Sequence, residues 1–144
     1  MRPTKRETTV RRIKELARDY RVKLFFNKKT DSLGQARFWA RSISVNRDLA
    51  PRQMLSVFFH ELGHIHCHEH GKWSSYHNVK PNDELTERER ELMVRTAVKA
   101  ERWVDGWARA EMAKHFPGVE YFTNYGDRSV AENFLSSLKK ELYA

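Results

Sequence analysis

The stretch MLSVFFHELGHI, residues 54–65, is the most apolar part of the chain and carries two histidines and a glutamate. Its apolar residues recur at three- and four-residue spacing, which predicts a largely buried helix that runs to about His66. Pro51 suits the first turn of that helix. Burying imidazoles and a carboxylate costs free energy unless something binds them. The sequence therefore predicts a core helix with a polar site built into it.

The polar residues of this helix have the HExxH spacing. His60 and His64 lie four residues apart, so both imidazoles project from one helix face and can reach one Zn²⁺ at about 2.0–2.1 Å. Glu61 follows the first histidine and lies near such a metal without binding it. It can take a proton from a water that the metal activates and pass it to a leaving amine. The motif predicts metal-assisted hydrolysis of an amide bond.

Zinc hydrolases normally supply a third protein ligand and leave one position open. A capping box at 86–89 predicts a long helix from Thr86 to about His115. Glu101 and Asp105 fall in the middle of its apolar side, where a carboxylate needs a partner. The prediction is that Glu101 is the third ligand and that Asp105 orients a histidine N–H.

A second candidate for the third ligand is His70, because His60, His64 and His70 also fit the spacing HExxHxxxxxH. In that pattern a glycine normally permits a sharp turn before the last histidine, and here the position is Cys67. His66, His68 and His77 are predicted to face solvent or to orient other groups.

The remaining elements predict an α+β fold in a single domain, residues 1–144. An apolar stripe indicates a first helix over about residues 8–20. Two strands are predicted over 22–26 and 35–46, and these form a short, mostly antiparallel sheet packed on the HExxH helix and the long glutamate-bearing helix. A loop is expected over 71–83, and a second capping box at 129–132 opens a last helix.

The charge and apolar content of the chain indicate which classes of partner to expect. The 144 residues carry a net charge of +8, and the whole excess lies in residues 1–29, which hold 11 Lys and Arg against 3 acids. Such a segment is typical of a solvated helix face, and it can also attract nucleic acid, weakly or indirectly, or an acidic partner protein. No apolar run approaches the roughly 20 residues that span a bilayer, so no membrane partner is expected. The single cysteine and the absence of a secretory signal at the N-terminus predict a cytoplasmic protein.

HELGHIHCH, preceded by the strand-like segment ending at 43–46 and followed by ERWVDGWA, resembles the ImmA/IrrE group of small gluzincin-type zinc metallopeptidases, common on phages and integrative elements. The similarity covers roughly residues 35–112. It implies a zincin-like core with Zn²⁺ held by His60, His64 and Glu101, with Glu61 as general base and Asp105 supporting the ligands. It also implies a protein substrate, such as a DNA-associated repressor.

The stretch Gly71-Lys72-Trp73 after His70 resembles SprT-like proteases, which act on proteins crosslinked to DNA and use a third histidine. Further hypotheses are a zinc-stabilised module that binds nucleic acid or protein, and a regulatory protein with a degenerate peptidase core. For the enzyme, a substrate is expected to bind as a strand beside the sheet edge of residues 35–46. Tyr76, His77 and Tyr125 are candidates to stabilise the oxyanion.

Overall fold

The computed structural model describes residues 2–27, 33–70, 84–122, 132 and 136. The elements follow in the order α1 (Lys5–Asp19), β1 (Lys23–Asn27), β2 (Gly34–Arg37), a 3₁₀ helix (Phe38–Ala40), β3 (Ser42–Asn46), α2 (Pro51–Glu69) and α3 (Glu87–His115). The predicted α+β class is confirmed. The loop predicted over 71–83 lies outside the described residues, and so does nearly all of the last predicted helix.

Helix α1 begins at Lys5, earlier than the apolar stripe predicted, because Thr4 caps it. The Thr4 side chain accepts a hydrogen bond from the backbone N–H of Glu7 at 3.1 Å. This bond satisfies one of the N–H groups that a helix start leaves without an intrahelical partner. Ile13, Leu16 and Ala17 form the buried side of the helix.

The sheet has three strands in the order β1-β3-β2 and is mixed, which differs from the expected mostly antiparallel arrangement. Strands β2 and β3 are antiparallel, whereas β1 pairs with β3 in parallel. The single strand predicted over 35–46 is two strands joined by the 3₁₀ helix and Arg41, whose φ of 44° is left-handed. The Arg41 side chain donates to the carbonyl oxygens of Tyr20 and Arg21 at 2.8 and 3.2 Å, which ties this turn to the end of α1.

Helix α2 starts at Pro51, as predicted, and ends at Glu69. Every residue from Met54 to Gly63 is buried, so the helix is enclosed on all sides over that stretch. A helix buried all round has to carry its polar groups inside the protein. The two histidines and the glutamate of the motif lie in or at the end of this enclosed stretch.

Helix α3 starts as its capping box predicted. Thr86 Oγ1 accepts from the backbone N–H of Glu89 at 3.1 Å and contacts the Glu89 side chain at 3.2 Å. The helix ends at His115, and Pro117 and Gly118, whose φ is 87°, follow its end. Both termini therefore confirm what the local sequence indicated.

The chain divides into two compact units. In the first, which holds the residues up to His66 and Trp107–Phe122, the core contains Ile13, Leu16, Ile43, Val45, Phe58, Phe59 and Met112. In the second, which contains Cys67–Gly106, the buried apolar residues of α3 are Val94, Ala97, Ala100 and Val104. That the whole chain is a single domain stays a prediction. None of the helices in the described ranges combines the length and the apolar character needed to cross a lipid bilayer.

Candidate metal centre

The two histidines of the motif face each other one turn apart on α2. Their Nε2 atoms lie 3.1 Å apart, and the rings are nearly perpendicular, with centroids 4.7 Å apart. His60 is 1% exposed and His64 is partly buried. Two nitrogens bound to one tetrahedral zinc at 2.0–2.1 Å lie about 3.3 Å apart. The histidine pair therefore has nearly the spacing that a shared zinc ion requires.

A carboxylate completes a group that could hold a metal ion. The ligand atoms of His60, His64 and Glu101 all lie within 4.8 Å of one another. Glu101 is 5% exposed, on the apolar side of α3 where the helical periodicity placed it. Two imidazole nitrogens and one carboxylate oxygen form a donor set suited to Zn²⁺, and it is one ligand short of a closed tetrahedral site.

The other candidate residues lie as follows. Glu61 and Asp105 are both 6% exposed, so both carboxylates are buried, as the periodicity of their helices predicted. His70 is exposed in the turn directly after α2. Among the described residues, the group that could hold a metal ion contains Glu101 and does not contain His70. The roles of Glu61 as base, Asp105 as orienting acid and His70 as alternative ligand stay predictions.

Gly34 allows β2 to approach α2 beside Glu61. A Cβ at this position would lie 2.4 Å from Val57 Cγ1, 2.9 Å from the Ser44 carbonyl oxygen and 3.4 Å from Glu61 Cγ. Real Cβ atoms do not approach other atoms as closely as the first two distances, so a glycine is needed here. The first strand residue of β2 is therefore held directly against the carboxylate-bearing part of α2.

Tyr121 is a neighbour of His60 that the sequence did not reveal. Its hydroxyl lies 3.4 Å from His60 Nδ1, the ring nitrogen on the other side from Nε2, and the residue is 7% exposed. The aromatic pair Tyr121-Phe122, shortly after Pro117-Gly118, was the sequence signal for this contact. Apolar side chains that follow the end of a helix are expected to pack against another part of the protein. The partner of that segment depends on tertiary structure and could not be derived. Tyr76, His77 and Tyr125 lie outside the described residues.

A small sheet beside a histidine-bearing helix, with a buried carboxylate oxygen within 4.8 Å of the nitrogens of both histidines, is consistent with a zincin-like core. The family model described as the IrrE N-terminal-like domain, peptidase family M78, matches residues 17–102, more than half of the chain. The chain belongs to this family. The predicted resemblance to the ImmA/IrrE group is confirmed. No curated protein and no solved structure matches the chain significantly.

Proposed function

We propose that the protein is a zinc-dependent endopeptidase that cleaves a protein substrate. The observation that carries this proposal is the group of His60, His64 and Glu101, whose candidate ligand atoms lie within 4.8 Å of one another in a chain of a peptidase family. Structural zinc sites usually have four protein ligands, whereas catalytic sites have three and an open position. A set of three favours catalysis over a purely structural ion.

Glu61 is the residue that moves the proton in this proposal. Zinc bound by the three ligands supplies a Lewis acid that polarises the scissile carbonyl and lowers the pKa of water. The Glu61 carboxylate accepts a proton from the attacking water while the water oxygen bonds to the carbonyl carbon. It then delivers that proton to the amide nitrogen as the carbon–nitrogen bond breaks, which leaves a carboxylic acid and an amine.

The substrate is proposed to lie along β2. This strand is an edge of the sheet formed by the described residues, and Gln35 and Arg37 on it are exposed. An extended peptide can add to such an edge through backbone hydrogen bonds, about 4.8 Å from the strand. Because Gly34 holds β2 against Glu61, a peptide in that position passes close to the proposed base. A DNA-associated protein such as a repressor is the substrate class that the family suggests.

The decisive experiment compares the wild-type protein with Glu61→Gln. The variant should keep one zinc per chain, measured by elemental analysis after dialysis. Its cleavage of a random peptide library, read by mass spectrometry, should fall at least about 10²-fold, since general acid–base catalysis contributes that much or more. Two proteins without metal at neutral pH would refute the proposal. If both proteins contain zinc and neither cleaves any peptide, the result would favour a regulatory protein with a degenerate peptidase core.

The proposal extends to weak association with nucleic acid. Arg11, Lys14 and Arg18 are exposed on one side of α1 and form no ion pair with any residue that the structure describes. Exposed cations at this spacing can neutralise neighbouring phosphates. The affinity for a short DNA duplex should fall steeply with salt, and changing all three residues to Gln should flatten that dependence. A salt dependence that the triple variant leaves intact would contradict this.

The cytoplasm is the proposed location. Cys67 is the single cysteine of the chain and is buried, so no disulfide forms within the chain. Structural disulfides are typical of oxidising compartments, and a chain that needs none suits a reducing one.

A further inference from the structure

The segment that follows α3 runs along the same ridge of α2 that carries the first histidine. We call Val119–Phe122 the return segment. Arg52, Ser56 and His60 lie at successive four-residue spacings on α2, and each contacts this segment. Arg52 Nη1 lies 3.4 Å from Glu120 Oε2, and Ser56 Oγ accepts from the backbone N–H of Phe122 at 3.0 Å. Tyr121 lies between these two contacts and faces His60.

The position of the Tyr121 hydroxyl is well defined by its surroundings. The residue is 7% exposed, and the Arg109 guanidinium lies over its ring at 5.4 Å from the centroid. Ser56, which holds the next residue of the return segment, is 1% exposed and also donates to the Arg52 carbonyl oxygen at 3.0 Å. A buried ring with anchored neighbours has few other rotamers available. Its hydroxyl therefore stays beside His60 Nδ1.

The two nitrogens of the His60 ring face different partners. Nε2 lies 3.1 Å from His64 Nε2, on the side of the proposed metal, and Nδ1 lies 3.4 Å from Tyr121 Oη. A neutral imidazole carries one proton, and a metal needs the lone pair of the nitrogen that it binds. When Nε2 is the ligand atom, the proton is on Nδ1 and can be donated to the Tyr121 oxygen. The separation of 3.4 Å is long for such a bond, and hydrogen bonds at catalytic sites often tighten only in the complex with substrate or with the transition state.

We infer that Tyr121 is a positioning residue that fixes the ring orientation and the proton position of His60, so that Nε2 is presented to the metal. The inference rests on the proposed zinc site. It assigns to the return segment a function in the metal centre, because the segment carries the group that orients a ligand. Partners of this kind typically account for 10- to 100-fold in metal affinity.

The test is zinc affinity, measured by competition with a chelator of known affinity for the wild type, Tyr121→Phe and Tyr20→Phe. Tyr121→Phe keeps the buried ring beneath Arg109 and removes only the oxygen. It should weaken zinc binding about 10- to 100-fold. Tyr20→Phe removes the hydroxyl of another partly buried tyrosine, one that contacts Glu111 and His115, and should leave zinc affinity unchanged.

The outcomes separate this inference from the proposed function. A wild type without zinc would refute the metal centre itself. If the wild type binds zinc and Tyr121→Phe binds it with equal affinity, the positioning role of Tyr121 is wrong, whereas the proposed metal centre is still supported. Equal weakening in both tyrosine variants would also overturn it, because the loss would then report general packing.

A measurement on the unaltered, zinc-loaded protein covers the case in which Tyr121→Phe fails to fold. Nitrogen-15 NMR of the histidine rings should show His60 protonated at Nδ1, with that proton close to the Tyr121 ring. A His60 ring that is protonated at Nε2 in the zinc-loaded protein would overturn the inference.

Discussion

Phe59 and His60 are consecutive residues of α2, and each belongs to a group of side chains that contains a tyrosine and a histidine in contact. Phe59 stacks on His115, with ring centroids 5.9 Å apart and an angle of 27°. His115 Nε2 lies 2.9 Å from the hydroxyl of Tyr20, which donates to Glu111 Oε1 at 2.6 Å. We call Tyr20, Glu111 and His115 the tie cluster, because it joins the end of α1 to the end of α3.

The second tyrosine–histidine contact involves His60, one residue after Phe59 on α2. His60 has Tyr121 beside its Nδ1 and His64 beside its Nε2. The tie cluster supplies its own carboxylate, so its polar groups bind one another. At His60 the tyrosine lies beside one ring nitrogen, while the other nitrogen faces a second imidazole at nearly the spacing that a shared zinc ion requires. The comparison teaches that the same residue types bind one another within the tie cluster and, in the proposed metal centre, orient a ligand.

The largest expected difference separates His60→Ala from His115→Ala. His60→Ala removes one of the three proposed ligands, so no zinc should remain after dialysis. His115→Ala should keep zinc and lower the free energy of unfolding by about 1–3 kcal/mol, because it removes the stacking on Phe59 and the contact with Tyr20. Elemental analysis and urea unfolding measure the two effects. Retention of zinc by His60→Ala, or its loss from His115→Ala, would contradict the division of roles.

The close contact between β2 and α2 provides a second test, on residues next to the candidate metal centre. Gly34→Ala introduces a Cβ into contact with Val57 and with the Ser44 backbone, so we expect a loss of about 1–3 kcal/mol of unfolding free energy from overpacking. Cleavage should fall as well, because the neighbouring Glu61 is displaced. Urea unfolding and the peptide-library assay measure these effects.

Gly106 offers a matched control for that substitution. A Cβ added there meets nothing within 4 Å, and the residue lies inside α3. Gly106→Ala should therefore stabilise the protein by about 0.5–1 kcal/mol, the ordinary preference of a helix interior for alanine. Equal effects of the two alanines would show that the contact of β2 with α2 is not tight.

The residues of the candidate metal centre were predictable to the extent that local sequence specifies their positions. The spacing of His60 and His64 is a property of one helix, and Glu101 stands out because it interrupts the apolar side of another. Both signals need only the 3.6-residue period. The starts of α3 at its Thr86 cap and of α2 at Pro51 were predictable for the same reason, since each depends on residues within one turn of the helix start.

What the sequence did not give depends on contacts between distant segments. The parallel pairing of β1 with β3 follows from β2 lying on the far side of β3, which no local pattern in 22–46 specifies. Tyr121 follows His60 by 61 residues, and its place beside the ring depends on where the chain goes after Gly118. The start of α1 was a different case, because Thr4 and Glu7 form a local capping signal that lies outside the apolar stripe of the helix.

Within the tie cluster, Tyr20→Phe is expected to cost about 1 kcal/mol, because it removes a hydrogen bond to a carboxylate at a partly buried position. Zinc affinity should not change, in contrast to Tyr121→Phe. Thermal unfolding and the chelator competition give the two readouts on one sample. A Tyr20→Phe protein of unchanged stability would show that Glu111 and His115 are equally well satisfied without the hydroxyl.

The smallest expected effect is a dependence of stability on pH that arises at Glu111. Burial would raise the pKa of this carboxyl, but hydrogen bonds from Tyr20 and Lys114 and the charges of Lys114 and His115 outweigh it, so its pKa lies below the ordinary value of 4.5. A carboxyl with a lowered pKa in the folded protein stabilises it above the unfolded pKa and loses that effect as the pH falls through the folded one. The stability difference between wild type and Glu111→Gln should therefore shrink as the pH falls below about 4.5.

At the alkaline end the tyrosine of the tie cluster gives the opposite sign. Burial raises the pKa of Tyr20, and the hydrogen bond to Glu111 and the charges of Glu111 and Asp19 raise it further. The folded protein keeps this hydroxyl protonated where the unfolded chain would ionise it, so its contribution is complete below pH 10.0 and is lost as the pH rises above that value. The urea concentration at the midpoint of unfolding, measured from acidic to alkaline pH, tests the effects of both Glu111 and Tyr20. Glu120→Gln is the control, since Glu120 is 82% exposed. If the stability difference between wild type and Glu111→Gln is the same at all pH values, an ionised Glu111 is not the acceptor of the Tyr20 hydrogen bond.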